Sequence, residues 1–404
     1  MNQSETGTRL SAFNFDYLNF TADHYLRDEP EKPDWLLEQS LPRGVLGVIA
    51  APGGTGKGCF SYQILANMAA GINFFGLWNI PRPLYVLYLT VEESQRVVHQ
   101  RTRDALLRLP PDVRREAAGR FIAKSLQGES CLVQRNGHGL IERTQALYDL
   151  YSLIQNSNAD IVILDHFSKL VPCNEIDNQT VTIACGFLEE IAAENNCSII
   201  MLHHTNKAGG AFARDKNEMH NALSQSAIRG GSALAACIRW GVTMIPLSED
   251  YAIKVVGEQA RGRASGVYVA ARVAKKNEGP SEPVFYLEHG DDALFDLVEP
   301  DGVESPRGDA EVLAAEVRRR EVAGEEPLSK TRDWDVFGWG RPRYKSAVEK
   351  ALATRLLVAV EKKGRGGGFV LSGSVPLDNC AGVFLEPAQL ENCSFFDELE
   401  NCAG

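Results

Sequence analysis

The sequence lacks several features that would place the protein at a membrane or in an oxidising compartment. No apolar run approaches the ~20 residues that a membrane-spanning helix needs, and the first residues do not show the basic and then apolar pattern of a secretory signal. The nine cysteines include no CxxC pair and no Cys/His spacing typical of metal ligands. Free thiols are therefore favoured over disulfides or a zinc site. We expect a cytoplasmic protein with no membrane partner.

Positive charge is also scarce, because 42 Lys and Arg residues face 53 Asp and Glu residues, for a net charge of −11. A protein that binds nucleic acid over its whole surface needs an excess of Lys and Arg to neutralise phosphates. That class is excluded, whereas a locally basic channel or module is not. The 404 residues exceed the ~250 to 300 that one core usually serves, so we expect one large domain and a smaller module.

Short apolar runs indicate the fold class. Four of them lack apolar–polar alternation and fit buried parallel strands: VLGVIA, LYVLYL, DIVILD and CSIIMLHH. The segments that follow them or lie between them are long enough for crossover helices, over residues 59–70, 94–109, 140–156 and 180–195. Beyond Arg239, four shorter runs predict antiparallel strands that extend the sheet: GVTMIP, YAIKVV, VYVAARVA and PVFYLE. The predicted fold class is α/β, with a mostly parallel sheet covered on both faces.

Composition divides the chain into five segments. We predict an N-terminal arm over residues 1–34, a core over 35–297, a linker over 298–327, a small module over 328–372 and an acidic tail over 373–404. The module has ten Lys or Arg residues against four acidic ones, whereas the tail has six acidic residues and no Lys or Arg. In the module, the helix pattern RYKSAVEKALATRLL precedes two strand patterns in VAVEKKGRGGGFVL. This order is typical of a winged helix.

The segment APGGTGKGC lies between the first predicted strand of the core and a predicted helix. In this context, glycines allow successive backbone N–H groups to surround phosphate oxygens, and a lysine supplies positive charge. The predicted ATP-binding loop comprises Ala51, Pro52, Gly53, Gly54, Thr55, Gly56, Lys57, Gly58 and Cys59. The alternative is a glycine-rich turn without a ligand.

Two positions of this loop depart from the usual pattern GxxxxGK[ST]. Ala51 replaces the first glycine, and Gly58 replaces the hydroxyl residue that binds Mg²⁺. Mg²⁺ holds its oxygen ligands at about 2.1 Å, and Ser61 is a helical rise of ~4.5 Å further along, too far to substitute. Because Mg²⁺ commonly keeps several waters, a water can take the position. We expect Mg²⁺ binding to be retained but weakened.

Polar residues follow three of the predicted strands. Asp165 ends DIVILD, at the strand end where ligands of open α/β sheets gather, so it is the candidate Mg²⁺ ligand, directly or through water. Glu92 follows LYVLYL and is the candidate base for the water that attacks the γ-phosphate. For Glu93, a structural role in the first turn of a helix is as good an interpretation as a functional one. For Asp165, the alternative structural role is that of a helix cap. His203 and His204 point to opposite faces of their strand, so one is packed and the other faces the nucleotide.

The motifs APGGTGKG, YLTVEE, VILDHFSKL, LHHTNK, IRGGSALAACIRW and VAKKNEG resemble, in order and spacing, the RepA-like branch of the RecA/DnaB superfamily, the hexameric plasmid-type replicative helicases. The resemblance extends from about Trp35 to Phe295. It implies a RecA-like core, an ATP-driven and Mg²⁺-dependent DNA motor, a homo-oligomeric ring, expected to be a hexamer, and single-stranded DNA as the ligand. It also implies replication of a plasmid, phage or other mobile element, with an initiator or a primase as partner.

The resemblance assigns further roles. Lys57 would bind phosphate, Glu92 would be the catalytic glutamate, Asp165 would serve the Mg²⁺, and His204 would couple nucleotide state to the loop that follows it. Arg229 and Lys275 resemble the residues that act on the nucleotide of a neighbouring subunit. The candidate DNA contacts of the loop are Lys207, Arg214 and Lys216.

The basic module lies outside the resemblance and adds its own candidate DNA contacts: Arg341, Arg343, Lys345, Lys362, Lys363 and Arg365. A winged helix that contacts protein is the alternative. For the whole chain, two functions compete with a helicase. One is a RecA-like recombination ATPase that binds single strands without unwinding, and the other is a nucleotide-binding regulator with weak hydrolysis.

Overall fold

The chain forms two compact units, Met1–Pro306 and Arg307–Gly404, each with its own hydrophobic core. The computed structural model describes residues 16–27, 29–126, 128, 130–171, 178–205, 212–228, 231–290, 292–300, 309–323, 325–331, 333–337, 341–353, 356–361 and 369–373. Within these ranges, no helix combines the length and apolar character needed to cross a membrane.

The first unit alternates strands with helices. Its strands are β1 (Trp35–Leu37), β2 (Leu41–Pro42), β3 (Leu46–Ala51), β4 (Val86–Thr90), β5 (Phe121–Ser125), β6 (Val133–Arg135), β7 (Ile141–Arg143), β8 (Ile161–Asp165), β9 (Ser198–His204), β10 (Trp240–Pro246), β11 (Tyr268–Lys276), β12 (Phe285–His289) and β13 (Phe295–Val298). Its helices are α1 (Ala22–Tyr25), α2 (Lys57–Ala70), α3 (Gln95–Leu107), α4 (Pro111–Arg120), α5 (Gln145–Ser157), α6 (Phe167–Leu170), α7 (Asn178–Glu194), α8 (Lys216–Ala222), α9 (Gly231–Cys237) and α10 (Glu249–Val256).

Nine of these strands form one sheet in the order β13-β12-β11-β10-β3-β9-β8-β4-β5. From β10 to β5 every neighbouring pair is parallel, and β11, β12 and β13 continue the sheet as antiparallel strands. The predicted fold class, an α/β fold with a mostly parallel sheet, is therefore confirmed.

Both faces of the sheet are covered, which explains why its central strands read as continuous apolar runs. Along β3, Val48 and Ala50 pack into a cluster with α5 and α7, whereas Ile49 and Ala51 pack into a second cluster with α2. The four predicted crossover helices correspond to α2, α3, α5 and α7.

One of the strands predicted beyond Arg239 is wrong, and another is antiparallel on one side only. GVTMIP lies in β10, which pairs antiparallel with β11, as predicted, but parallel with β3. The 35 residues between β9 and β10 are long enough for a crossover, so parallel pairing is possible. YAIKVV lies in helix α10, because Ser248 accepts a hydrogen bond from Tyr251 N as N-cap and two acidic residues follow in the first turn. A six-residue apolar run does not by itself distinguish a helix from a strand.

Several elements carry no clear sequence signal. The prediction omits α4, β5, the hairpin of β6 and β7, and β13, all of which are short or partly exposed. Of the predicted arm, the structure describes 16–27 and 29–34, where Tyr17, Leu18 and Leu26 are exposed. The rest of the arm lies outside the described residues.

The second unit contains α11 (Asp309–Ala323), α12 (Arg341–Ala353) and the antiparallel strands β14 (Val358–Glu361) and β15 (Phe369–Ser372). The order of α12, β14 and β15 is the one predicted for the winged-helix-like module. However, α11 falls within the predicted linker. Its apolar residues recur at helical spacing and pack with Tyr344, Val348 and Leu371; they are Ala310, Leu313, Ala314 and Val317. The helix is thus part of the second unit, and only the acidic tail lies almost wholly outside the described residues.

Asp160 joins three segments at the amino-end side of the sheet. Its carboxylate accepts hydrogen bonds from Tyr85 N at 2.6 Å and from the Arg43 guanidinium, and both charged side chains are about nine-tenths buried. We expect Asp160→Ala to lower the free energy of unfolding by about 3 kcal/mol, because it removes the buried partner of the Arg43 guanidinium, which keeps only the half-exposed Asp34 as a charged partner. Urea unfolding measures the change. As control, Glu116→Ala removes an exposed pair with Arg120 and should cost about 0.5 kcal/mol or less; equal losses in both variants would contradict the assignment.

Candidate functional site

The candidate site lies where four neighbouring parallel strands, β3, β9, β8 and β4, end. Ala51 is opposite His204 in the register of β3 and β9, and Thr90 is opposite Asp165 in the register of β4 and β8. Because the carboxyl ends of parallel strands meet at one edge of the sheet, residues that are distant in sequence come together there.

The loop between β3 and α2 depends on glycine conformation at two positions. Gly54 and Gly56 have φ of 78° and 89°, in the left-handed region that favours glycine. A Cβ atom at Gly56 would also lie 2.6 Å from His289 Cε1 and 2.7 Å from Phe295 Cζ. The turn between β12 and β13 therefore packs directly against the loop, a contact that the sequence did not predict.

Lys57 begins α2 and is held by neutral acceptors. Its Nζ donates to Ala51 O at 3.1 Å and Pro52 O at 3.2 Å, and lies 3.4 Å from His204 Nδ1. Burial lowers the pKa of Lys57 to about 8, although the negative charges of Asp165 and Glu92 act in the opposite direction. Lys57 is thus a poorly solvated cation, and no residue in the described part of the chain neutralises it by a direct ion pair.

Asp165 is buried and fixed by two residues of β4. Tyr88 Oη donates to Asp165 Oδ2 at 2.7 Å, and Thr90 Oγ1 donates to the same oxygen at 3.0 Å. Burial and the nearby Asp165 charge raise the pKa of Tyr88 well above its usual value, so it remains a donor. Neither residue was predicted. Their signal is the alternation along β4, which puts Tyr88 and Thr90, four and two residues before Glu92, on the same side of the strand.

The position that a hydroxyl usually takes beside Lys57 faces a guanidinium. A Cβ atom built at Gly58 would lie 2.9 Å from Arg101 Nη1, 3.4 Å from Tyr88 Oη and 3.5 Å from Glu93 Oε1. Arg101, from α3, forms an ion pair with Glu93, and Tyr62 Oη donates to Glu93 Oε2 at 3.0 Å. Glu93 is therefore a partner of Arg101, a role that the sequence did not predict.

Glu92, unlike its neighbour Glu93, lies beside His166 and Lys169. Glu92 Oε1 is 3.0 Å from His166 Nδ1 and 3.5 Å from Lys169 Nζ. Glu92, Asp165 and His166 each offer one atom that can bind a metal, and these atoms all lie within 4.8 Å of one another. These three residues fit a divalent cation, whereas Gly58 offers no ligand and Arg101 adds positive charge.

The two histidines that end β9 have different surroundings, as predicted from strand geometry. His203 is buried; its Nδ1 lies 3.3 Å from Ser168 Oγ, and its ring packs edge-on to Phe167. His204 faces the site, where it contacts Lys57 and its ring centroid lies 5.4 Å from that of His166. The structure thus brings Lys57, Glu92, Asp165 and His204 to one edge of the sheet.

Other predicted residues lie on elements beyond this edge. Lys275 Nζ donates to Ala235 O at 2.5 Å, and burial together with the neighbouring Arg239 charge lowers the pKa of Lys275. Arg214 and Lys216 are exposed at the start of α8. Lys207 and Arg229 lie outside the described residues.

In the second unit, the predicted DNA contacts of α12 are exposed. Arg343 donates to both carboxylate oxygens of Asp309, at 2.8 and 2.7 Å, and thereby links α12 to α11. Arg341 and Lys345 lie in the same first turns of α12. Lys362, Lys363 and Arg365 lie outside the described residues.

Comparison with known proteins gives a family match and matches to solved structures. The family model AAA_25, described as an AAA domain, matches residues 12–210. The chain is similar to the solved structure of a KaiC-like protein from the hyperthermophilic archaeon Pyrococcus horikoshii OT3, with 14% identity, coverage of 65% of this chain and 94% of that chain, and a TM-score of 0.41. It is also similar to a second solved structure, described as an ATPase domain, with 13% identity, coverage of 64% of this chain and 86% of that chain, and a TM-score of 0.42.

The family match covers the strand, phosphate-binding loop and helix around Lys57, and the strands that carry Asp165 and His204. The sheet places these residues together at the ends of parallel strands. The first unit of this chain is therefore similar to an AAA domain over residues 12–210, and its mostly parallel α/β sheet carries the glycine-rich loop and Lys57 at one edge.

Proposed function

We propose that the protein is an ATP-dependent DNA helicase or translocase of the hexameric RepA type, which acts in replication of a plasmid, phage or other mobile element. The observation that supports it best is the convergence of Lys57, Asp165, Glu92 and His204 at one sheet edge. His204 directly precedes the loop that the resemblance assigns to DNA.

The arrangement suggests how ATP is bound and hydrolysed. Backbone N–H groups of the loop and the Lys57 ammonium receive the phosphates. Glu92, which is 40% exposed, accepts a proton from the attacking water. A divalent cation in such a site neutralises phosphate charge and orients the terminal phosphate. When phosphate binds Lys57, the Lys57 ammonium moves away from His204, and His204 loses its contact with Lys57. This change then alters the loop that follows His204.

A ring is part of the proposal because the resemblance assigns Arg229 and Lys275 to the nucleotide of a neighbouring copy. Single-stranded DNA would pass through the ring and contact Lys207, Arg214 and Lys216, and an initiator or a primase would load or accompany it. The C-terminal module is proposed to add DNA contacts through Arg341, Arg343 and Lys345, of which Arg343 also pairs with Asp309.

One observation favours a second function. Gly58 supplies no metal ligand, and Arg101 occupies the adjacent space. If hydrolysis is thereby suppressed, the protein acts as a nucleotide-gated regulator. A recombination ATPase, the third candidate function, shares the site but unwinds nothing.

Strand displacement measured together with ATP turnover separates these functions. The helicase proposal expects ATPase activity that single-stranded DNA stimulates, displacement of a labelled strand, and loss of both by at least about 100-fold in Lys57→Ala. Turnover without displacement would support the recombination ATPase, and tight ATP binding without turnover would support the regulator. Lys254→Ala, an exposed lysine on α10, is the control and should retain both activities.

ATP affinity should depend on pH through Lys57. Its pKa of about 8 means that the ammonium loses its proton as the pH rises through 8, whereas the phosphates of ATP, with a last pKa of about 6, are already fully ionised. We expect the Kd for ATP to be constant below pH 8 and to rise about tenfold per pH unit above it. Lys57→Arg keeps its charge and should abolish the slope; an unchanged slope would assign the titration to another group.

Arg214 and Lys216 provide a test of the proposed DNA loop. Replacing both with Ala should weaken binding of single-stranded DNA and reduce the slope of log K against log salt by about 0.7 to 1.4, because one or two phosphate contacts are lost. Fluorescence anisotropy at several salt concentrations measures both. ATP affinity without DNA should not change, and an unaltered salt slope would remove these residues from the DNA path.

A further inference from the structure

We propose that Glu92, Asp165 and His166 form the divalent-cation site of this pocket, and that the site takes Mn²⁺ in preference to Mg²⁺. The inference rests on the proposed function in so far as ATP uses the same pocket. Cation binding without nucleotide, however, can be measured whether or not the protein hydrolyses ATP.

The first observation concerns the side of the pocket where a P-loop hydroxyl normally holds the cation. At Gly58 no side-chain oxygen is present, and Arg101 Nη1 is 2.9 Å from the point that a Cβ would occupy. Arg101 is held there by Glu93, and Glu93 in turn by Tyr62. A fixed guanidinium repels a divalent cation, so this side of Asp165 disfavours the ion.

The second observation concerns His166, the residue that follows Asp165. His166 is 7% exposed, and its Nδ1 has no hydrogen-bond partner among the described residues. Nδ1 lies 3.0 Å from Glu92 Oε1, but the geometry is that of a close contact, not of a hydrogen bond. A buried ring nitrogen without a partner is costly. A cation shared with the neighbouring carboxylates would satisfy it.

The spacing of the three residues suits a single ion. Their ligand atoms lie within 4.8 Å of one another, and atoms that share one ion at about 2.2 Å are separated by roughly 3 to 4.4 Å. The three ligand atoms therefore need to move only slightly closer together to bind one ion. Lys169 Nζ, 3.5 Å from Glu92 Oε1, competes with the cation, but its side chain is 55% exposed and can turn into solvent.

The ligand set indicates which cation binds. Mg²⁺ selects oxygen ligands and strict octahedral geometry, whereas an imidazole nitrogen is typical of transition-metal sites. Two carboxylates with one imidazole suit Mn²⁺, which accepts the same oxygen ligands as Mg²⁺ and also tolerates nitrogen. The remaining positions stay open for water and for phosphate oxygens. Glu92 offers the ion one carboxylate oxygen, so its second oxygen remains to accept the proton of the attacking water.

Paramagnetic resonance of Mn²⁺ tests the site in the full chain without nucleotide. We expect one Mn²⁺ per chain, displaced by Mg²⁺ only at a concentration at least about tenfold higher. The electron spin-echo signal of bound Mn²⁺ should show coupling to one directly bound nitrogen. Tight binding of Zn²⁺ with no binding of Mn²⁺, or bound Mn²⁺ without nitrogen coupling, would overturn the proposal.

Two variants and a control locate the ligands. His166→Ala should abolish the nitrogen coupling and weaken Mn²⁺ binding by about tenfold or more. Because His166 is buried, the exposed Glu92→Gln supplies a second test and should weaken binding to a similar extent without loss of folding. His138→Ala, which removes an exposed imidazole between β6 and β7, should change neither quantity. Equal affinity in all four proteins would overturn the proposal. Failure of ATP to bind with Mn²⁺ present would instead contradict the proposed ATPase.

A double-mutant cycle tests whether Gly58 and Arg101 control which cation binds. Gly58→Ser combined with Arg101→Ala restores a hydroxyl and removes the guanidinium, so the preference for Mn²⁺ over Mg²⁺ should fall by about tenfold. In Gly58→Ser alone the preference should fall by less, because the new side chain meets Arg101. If Gly58→Ser alone gives the full change, Arg101 does not control the position of the cation.

Discussion

Parallel pairing of β4, β8, β9 and β3 is the constraint on which the site depends. Each strand places one functional group at its carboxyl end. These groups are the Glu92 carboxylate after β4, the Asp165 carboxylate on β8, the His204 imidazole on β9 and the Lys57 ammonium after β3. The hydrogen-bonded register fixes these ends relative to one another. Burial of both sheet faces, in turn, makes a shift of register costly, because it would exchange the side chains of the two apolar clusters.

The charges of the site are arranged so that Lys57 keeps its positive charge available. Carbonyl oxygens and an imidazole nitrogen hold Lys57, whereas a carboxylate would neutralise it. Asp165 is held by two hydroxyl donors, and Glu93 is neutralised by Arg101. Phosphate can therefore take over Lys57 without breaking a buried ion pair, which keeps the cost of binding low. Gly58, which replaces the usual hydroxyl residue of the loop, is compatible with this arrangement because Arg101 occupies the space that a larger side chain would need.

Much of the core could be predicted from local patterns. Uninterrupted apolar runs indicated the central parallel strands, and the strand–GGTGK–helix context indicated the phosphate loop. Patterns failed where one short run was compatible with two structures: YAIKVV became helix α10 through its Ser248 cap, and GVTMIP pairs in parallel with β3 through a long crossover. The spacing of Ala310, Leu313, Ala314 and Val317 allows one helix within the predicted linker. The Gly, Pro and alternating charge around that possible helix favoured a linker over a part of the second unit.

Contiguous residues indicate the types of chemistry: a phosphate-binding loop, acidic residues after strands, two histidines in one strand and a missing hydroxyl at Gly58. Periodicity and motif spacing reveal these features without a structure. The surroundings of these residues depend on the folded chain. Tyr88 and Thr90 hold Asp165, Arg101 faces Gly58, His166 joins Glu92, and the turn after β12 packs on Gly56. Such contacts join residues that are far apart in the chain, and their distances follow from strand order and packing, which no local pattern encodes.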